Sequence, residues 1–172
     1  GVVGLHPVDL SEPLQPGESV TFSLRWHFDL GDHVAHTKEG AVDPTTYFLA
    51  YFFPRLAVAD DVNPGIWSLN QFTYGGNEQY NDFDDYNVTV HAPKDYVVWA
   101  TGDLQNPDEV LQPEYAQRLR ESMTSDEVIK IATPAELQDG KVTAQDDMVS
   151  WKWQASNVPD FVVALSDHYN WD

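Results

Sequence analysis

At 172 residues, with 42% hydrophobic and 13% aromatic side chains, the chain is long enough for one domain with a real apolar core. Its 28 acidic against 9 basic residues give a net charge of −19, which repels nucleic-acid phosphates and anionic lipid head groups and makes both poor partners. With no cysteine, neither a disulfide framework nor a thiolate metal site is possible, and no apolar run reaches the roughly 18 residues of a membrane span.

The first seventeen residues carry Pro7, Pro13, Pro16 and Gly17, which predict an extended segment followed by a turn. Residues 18–30 (ESVTFSLRWHFDL) then alternate. Val20, Phe22, Leu24, Trp26 and Phe28 share one side, and Thr21, Ser23, Arg25 and His27 the other, the period of a strand. Residues 33–44 are polar and read as a loop or an irregular edge. The apolar run at 45–53 predicts a strand covered on both faces, ended by Pro54, which cannot donate to a ladder. Asn63-Pro64-Gly65 and Gly75-Gly76-Asn77 are turns. Alternation resumes at 86–91, and Pro93-Lys94-Asp95 turns the chain into a short strand at 96–100.

Asn106-Pro107-Asp108-Glu109 resembles a capping box with proline at the first helical position. It opens a helical insert over 107–123, in which Tyr115, Leu119 and Met123 fall on one face. Residues 128–133 have strand period, 134–147 read as a loop, and 149–154 (VSWKWQ) alternate again. Asn157-Val158-Pro159-Asp160 then turns the chain into a last apolar strand at 161–165. The sum is a mostly β fold: one sandwich- or saddle-like domain over 1–172, of antiparallel and mixed strands, with one short helical insert. The chain opens at Gly1 and stops at Asn170-Trp171-Asp172, just past that strand, which leads us to expect a piece of a longer protein.

No complete catalytic set stands out. Of six histidines only His33 and His36 are close, and HVAHTKE is not the H-E-x-x-H of a zinc hydrolase, so we expect no metal site in this chain. Asp82, Asp84 and Asp85 give some look of a calcium loop but lack its glycine and its distal glutamate, and a turn into the next strand is the simpler reading. Arg55, inside an apolar stretch, needs a carboxylate, and Asp60, Asp61 or Asp84 is the natural partner for a structural ion pair, with Asp60 and Asp61 at a turn. Trp67, Phe72, Tyr74 and Tyr80 form either a satellite core or a stacking platform for sugars or peptide side chains.

Four segments in order, AYFFPRLAVADDVNPGIW, YNDFDDYNVTVHAPKDYVVWATGDLQNPDEVL, TSDEVIKIATPAEL and SWKWQASNVPDFVVALSDHYNWD, resemble the N-terminal β-domain of the aminopeptidase N family of zinc metallopeptidases, in its bacterial branch. The likeness runs from about Pro13 to Asp172. It implies a non-catalytic domain that packs on a following thermolysin-like catalytic domain and walls its substrate cleft. Zinc belongs to that domain, so no cofactor is expected here. The implied partners are the catalytic domain and a peptide substrate, and the implied setting is periplasmic, secreted or at the cell surface. The family's amine-holding glutamine or glutamate counts to Phe48 or Leu49, neither of which accepts that hydrogen bond. Phe48, Leu49 and Tyr51 are the resulting cleft candidates. The competing reading is a stand-alone carbohydrate- or peptide-binding sandwich that uses Trp67, Tyr74 and Tyr80.

Overall fold

The computed structural model describes residues 6–34, 38–59, 67 and 81–172. They group into a smaller unit, Gly1–Asp29 with Arg55–Asn81, and a larger one, Leu30–Pro54 with Asp82–Asp172.

In the smaller unit the predicted turn is present. The Glu18 amide donates to the Gln15 carbonyl at 3.0 Å around Pro16 and Gly17, with Gly17 at φ 87°, a conformation in which glycine has no Cβ penalty. The strand expected at 18–30 does not form. The segment runs without a ladder, and Val20, Phe22, Leu24, Trp26 and Phe28 remain between 42% and 65% exposed. Alternation prepares a chain for a sheet, but a strand also needs a neighbour to take its amides. An isolated antiparallel bridge joins Ala59 to Trp67.

The larger unit is mostly β, in two antiparallel sheets. Strands β1 (Glu39–Asp43), β2 (Thr46–Leu49), β7 (Val163–Ser166) and β4 (Val97–Ala100) form one sheet, in the order β1-β2-β7-β4. Strands β3 (Asp84–Pro93), β6 (Met148–Val158) and β5 (Asp103–Leu104) form the other, in the order β3-β6-β5. All pairings are antiparallel, so the mixed strands expected from sequence do not occur among the described residues. The strand expected at 45–53 shrinks to β2. It sits one strand in from the sheet edge, and Tyr51 turns away in a left-handed conformation at φ 56°.

Both sheets share one core. Val97 and Val98 of β4, Val163 of β7, Val149, Trp151 and Trp153 of β6, and Phe161 belong to a single buried cluster. The alternation VSWKWQ therefore reads as expected, apolar in and polar out. Both indole nitrogens, of Trp151 and Trp153, are buried without an acceptor. Gly102, at φ 90°, lies where a Cβ would overlap the Gln154 carbonyl, so the backbone crosses β6 there only as glycine.

The helical insert is present as α1 (Pro107–Val110) and α2 (Pro113–Ser122). Tyr115 faces the core and Leu119 packs on its rim, whereas Met123 is 71% exposed, because α2 ends at Ser122 and its apolar face ends with it. Asn106 stands at the N-cap position of α1, but its side chain makes no capping bond. Its amide nitrogen donates to Glu109 Oε2 at 2.8 Å and to the Ser150 carbonyl at 2.9 Å, and its oxygen accepts the Lys152 amide at 2.9 Å. It is a cross-link to β6. The capping box lies elsewhere, at Thr133 and Glu136, and opens α3 (Pro134–Gln138) inside the segment expected to be a loop. Residues 128–133 form no strand; only Ala132 makes an isolated bridge, to Trp171. Arg118 ties the helices together, donating to Glu136 at 2.8 Å and to the Ile131 carbonyl at 3.2 Å while pairing with Glu114.

These two polar residues should rank by what their loss leaves behind. Thr133→Ala removes one cap and should cost about 1 kcal/mol in urea melts. Asn106→Ala strands the Ser150 carbonyl and the Lys152 amide, and should cost about 2–3 kcal/mol or more. A larger loss for Thr133→Ala would show that Asn106 is not the cross-link described.

Candidate functional site

Strand β2 places the first cleft candidates. Phe48 opposes Gly40 of β1 and Ala164 of β7, and Leu49 opposes Glu39 and Val163. As successive strand residues they point to opposite faces. Leu49 packs against the core, and Phe48 stands half-buried on the other side. Tyr51 follows at the corner, where Lys38 is also left-handed at φ 59°, the Ala50 amide donates to the Lys38 carbonyl at 3.0 Å, and the Lys38 ammonium lies 5.4 Å from the Tyr51 ring. Two non-glycine residues in this conformation cost of order 1 kcal/mol each and persist only where the surroundings over-determine them. From that corner edge-on ring contacts run Phe52–Phe53–Tyr86 at 5.1 and 5.7 Å, and Tyr86 reaches buried Phe161 at 5.5 Å.

Arg55 is half-buried. Of its expected partners, Asp60 and Asp61 lie outside the described residues, as do Phe72, Tyr74, Tyr80 and His36, and Asp84 is exposed at the start of β3. Trp67 is described and is 50% exposed. Asp82 bonds the amide of Phe83 at 3.3 Å and Asp85 that of Asn157 at 2.9 Å. Among the described residues no three histidine or carboxylate groups converge as metal ligands.

One polar site among the described residues was not singled out from sequence. A cavity of about 440 Å³ is lined by Thr45, Asp95, Leu137, Gln138, Gly140, Asp167 and His168. Its volume falls in the range of small-molecule sites. The β1–β2 turn, the β3–β4 turn, the end of α3 and the chain after β7 all converge on it. At its wall His168 Nδ1 lies 2.6 Å from Asp167 Oδ1, and Nε2 lies 3.2 Å from Asp43 Oδ2. Thr45 Oγ1 donates to the same Asp167 oxygen at 2.7 Å, and Asp43 accepts the Thr45 amide at 3.0 Å.

The charges stabilise one another. The hydrogen bond that His168 donates to Asp167 raises the His168 pKa; burial opposes the shift, and the Asp43 charge adds to it. Burial would raise Asp167, but hydrogen bonds from His168 and Thr45 outweigh it and leave the carboxyl below its ordinary range. Asp43 is likewise pushed up by burial and held down overall by Thr45, Thr46 and His168. Tyr96 is raised by burial and by the charges of Asp167 and Asp43. Although Thr45 Oγ1 is 3.3 Å from His168 Nδ1, this is not a nucleophile with its base. Both imidazole nitrogens face carboxylates, so neither is left to take a proton from the hydroxyl. The arrangement is an ion-pair hub.

Comparison of the chain with protein-family models, with curated proteins and with solved structures returns no match.

The hub sets a pH window. The His168 contribution is complete below about pH 6.5 and is lost as pH rises through its raised folded value. The Asp43 and Asp167 contributions are present above about pH 4 and are lost as pH falls through their lowered folded values. Both therefore operate together between about pH 4 and 6.5. Urea midpoints of the wild type and His168→Ala should differ most in that window and converge above it; a difference that stays constant to pH 9 would exclude this origin.

Proposed function

We propose that the chain is a non-catalytic β-domain of a zinc metallopeptidase-like protein of the aminopeptidase N type, which packs against a catalytic domain and walls its substrate cleft. The observation that carries this reading is the apolar side of residues 20–28. Val20, Phe22, Leu24, Trp26 and Phe28 are all exposed, on an extended segment without a ladder. Apolar side chains concentrated in this way mark a protein-interaction surface more often than an idle one. The segments that carry the resemblance also coincide with real elements: β3 in YNDFDDYNVTVHAP, α1 in NPDEVL, and β6 with β7 in SWKWQASNVPDFVVALS. In this reading zinc and the hydrolytic chemistry belong to the partner domain. Phe48 and Tyr51 face the peptide, and the periplasmic, secreted or cell-surface setting follows from the same resemblance.

Sedimentation of this chain mixed with an isolated thermolysin-like catalytic domain of an aminopeptidase N-type enzyme tests it. A one-to-one complex is expected, lost in the double variant Leu24→Asp/Trp26→Asp at unchanged far-ultraviolet dichroism. Absence of a complex with the wild type would sink the reading, as would hydrolysis of aminoacyl anilides by this chain alone.

A second reading is favoured by one observation: Trp67 presents half its surface to solvent, as a stacking platform requires. If the chain is a carbohydrate- or peptide-binding module, a glycan or peptide array should give hits that Trp67→Ala abolishes. A blank array removes that alternative.

A further inference from the structure

The β1–β2 hairpin is fastened differently from the rest of its sheet. β1 is an edge strand that contributes no side chain to the core cluster, and β2 contributes only Leu49, at its rim. An element with so few buried apolar contacts belongs to the low-stability end of a fold. Polar groups hold its tip instead. Thr46 Oγ1 and Ser166 Oγ lie 2.8 Å apart, both buried; Thr45 bonds Asp167; and His168 spans Asp43 of β1 and Asp167 beyond β7.

The proton count of that span decides its state. A protonated imidazole donates from both nitrogens, whereas a neutral one has a single N–H and a lone pair. With two carboxylates at 2.6 and 3.2 Å, the neutral ring can satisfy only one, and its lone pair must face the other. The Asp167 contact is the shorter of the two, and its oxygen is also fixed by Thr45. The Asp43 contact is the one that gives way.

We propose that His168 is a proton-operated latch that closes the β1 edge of the four-stranded sheet onto the chain following β7, and that loss of its proton releases Asp43 from the ring and loosens β1, which then keeps its ladder to β2 and the Ala41 amide bond to the Gly31 carbonyl. The groups around the ring reinforce this. Asp95 lines the same cavity from the β3–β4 turn, the adjacent Tyr96 feels the charges of Asp167 and Asp43, and the Tyr169 ring stands edge-on to His168 at 5.0 Å. From the α3 side come Gln138 and the Gly140 backbone, both uncharged, while Asp139 and Lys141 pair with each other at 3.6 Å. An unprotonated His168 thus leaves Asp43 and Asp167 without its charge, with Asp95 on the wall of the same cavity. Opening β1 would bare one ladder edge of β2 beside Phe48 and Leu49. The latch concerns this hairpin alone and holds whichever function the chain serves.

Hydrogen exchange of the β1 amides, measured across the His168 titration and corrected for intrinsic exchange rates, tests it. In the wild type, β1 protection should fall roughly ten-fold as the ring deprotonates, the scale of one charge-assisted hydrogen bond. Protection in β3 and β6 should hold. His168→Gln should show low β1 protection that does not vary with pH. Asp43→Asn, whose amide can accept from a protonated Nε2 and donate to the lone pair of a neutral one, should stay protected and flat, and serves as the second readout should His168→Gln fold poorly. Wild-type β1 protection independent of pH overturns the latch. So does a loss shared equally by β3 and β6, which would report global unfolding, or an unchanged pH response in Asp43→Asn.

Discussion

Strand β6 is the member on which the larger unit depends. It pairs with β3 along nearly its whole length and with β5 on its other edge, and sends Val149, Trp151, Trp153 and Ala155 into the core from alternate positions. Its outer side is not idle. Asn106 grips the Ser150 carbonyl and the Lys152 amide, and Lys152 Nζ reaches Glu109 at 2.9 Å, so the start of the helical insert is positioned from the same strand. The close passage of Gly102 over Gln154 completes the arrangement. Fixing β6 therefore fixes its two neighbours, α1 and one wall of the core.

What could be read in advance follows from how local the physics is. Alternation in VSWKWQ and in YNVTVHAP was legible because burial on one face is written into each residue pair. The same alternation at 20–28 and at 128–133 produced no strand, since periodicity names the side that wants covering and says nothing about a ladder partner. Asn106 looked like a cap because Glu109 stands three residues on, and its amide does reach Glu109, yet its other two side-chain bonds go to a strand more than forty positions away. Thr133-Pro134-Ala135-Glu136 carried the true capping signature and was passed over within a polar stretch, although its spacing was sufficient to find α3.

The candidate site was the least legible part, for a related reason. Thr45 and Asp167 are 122 residues apart, and neither D-P-T-T nor S-D-H is a recognisable motif by itself. Only the pairing of β2 with β7, Thr46 opposite Ser166, carries the two short polar strings to one place. The residues derived from the resemblance divide differently. Phe48 and Leu49 were named together, and the pleat separates them into one outward ring and one core side chain.

The buried indoles have a further consequence, in the optical domain. Trp151 and Trp153 have no acceptor for their N–H groups and almost no contact with water, so little solvent can relax around their excited-state dipoles, and they should emit toward the blue. Trp26 and Trp67, about half exposed and both in the smaller unit, should emit toward the red. The chain thus carries two built-in reporters of different colour. A single unfolding curve recorded at two wavelengths would separate the loss of the β6 core from events around the exposed apolar segment, without any added label.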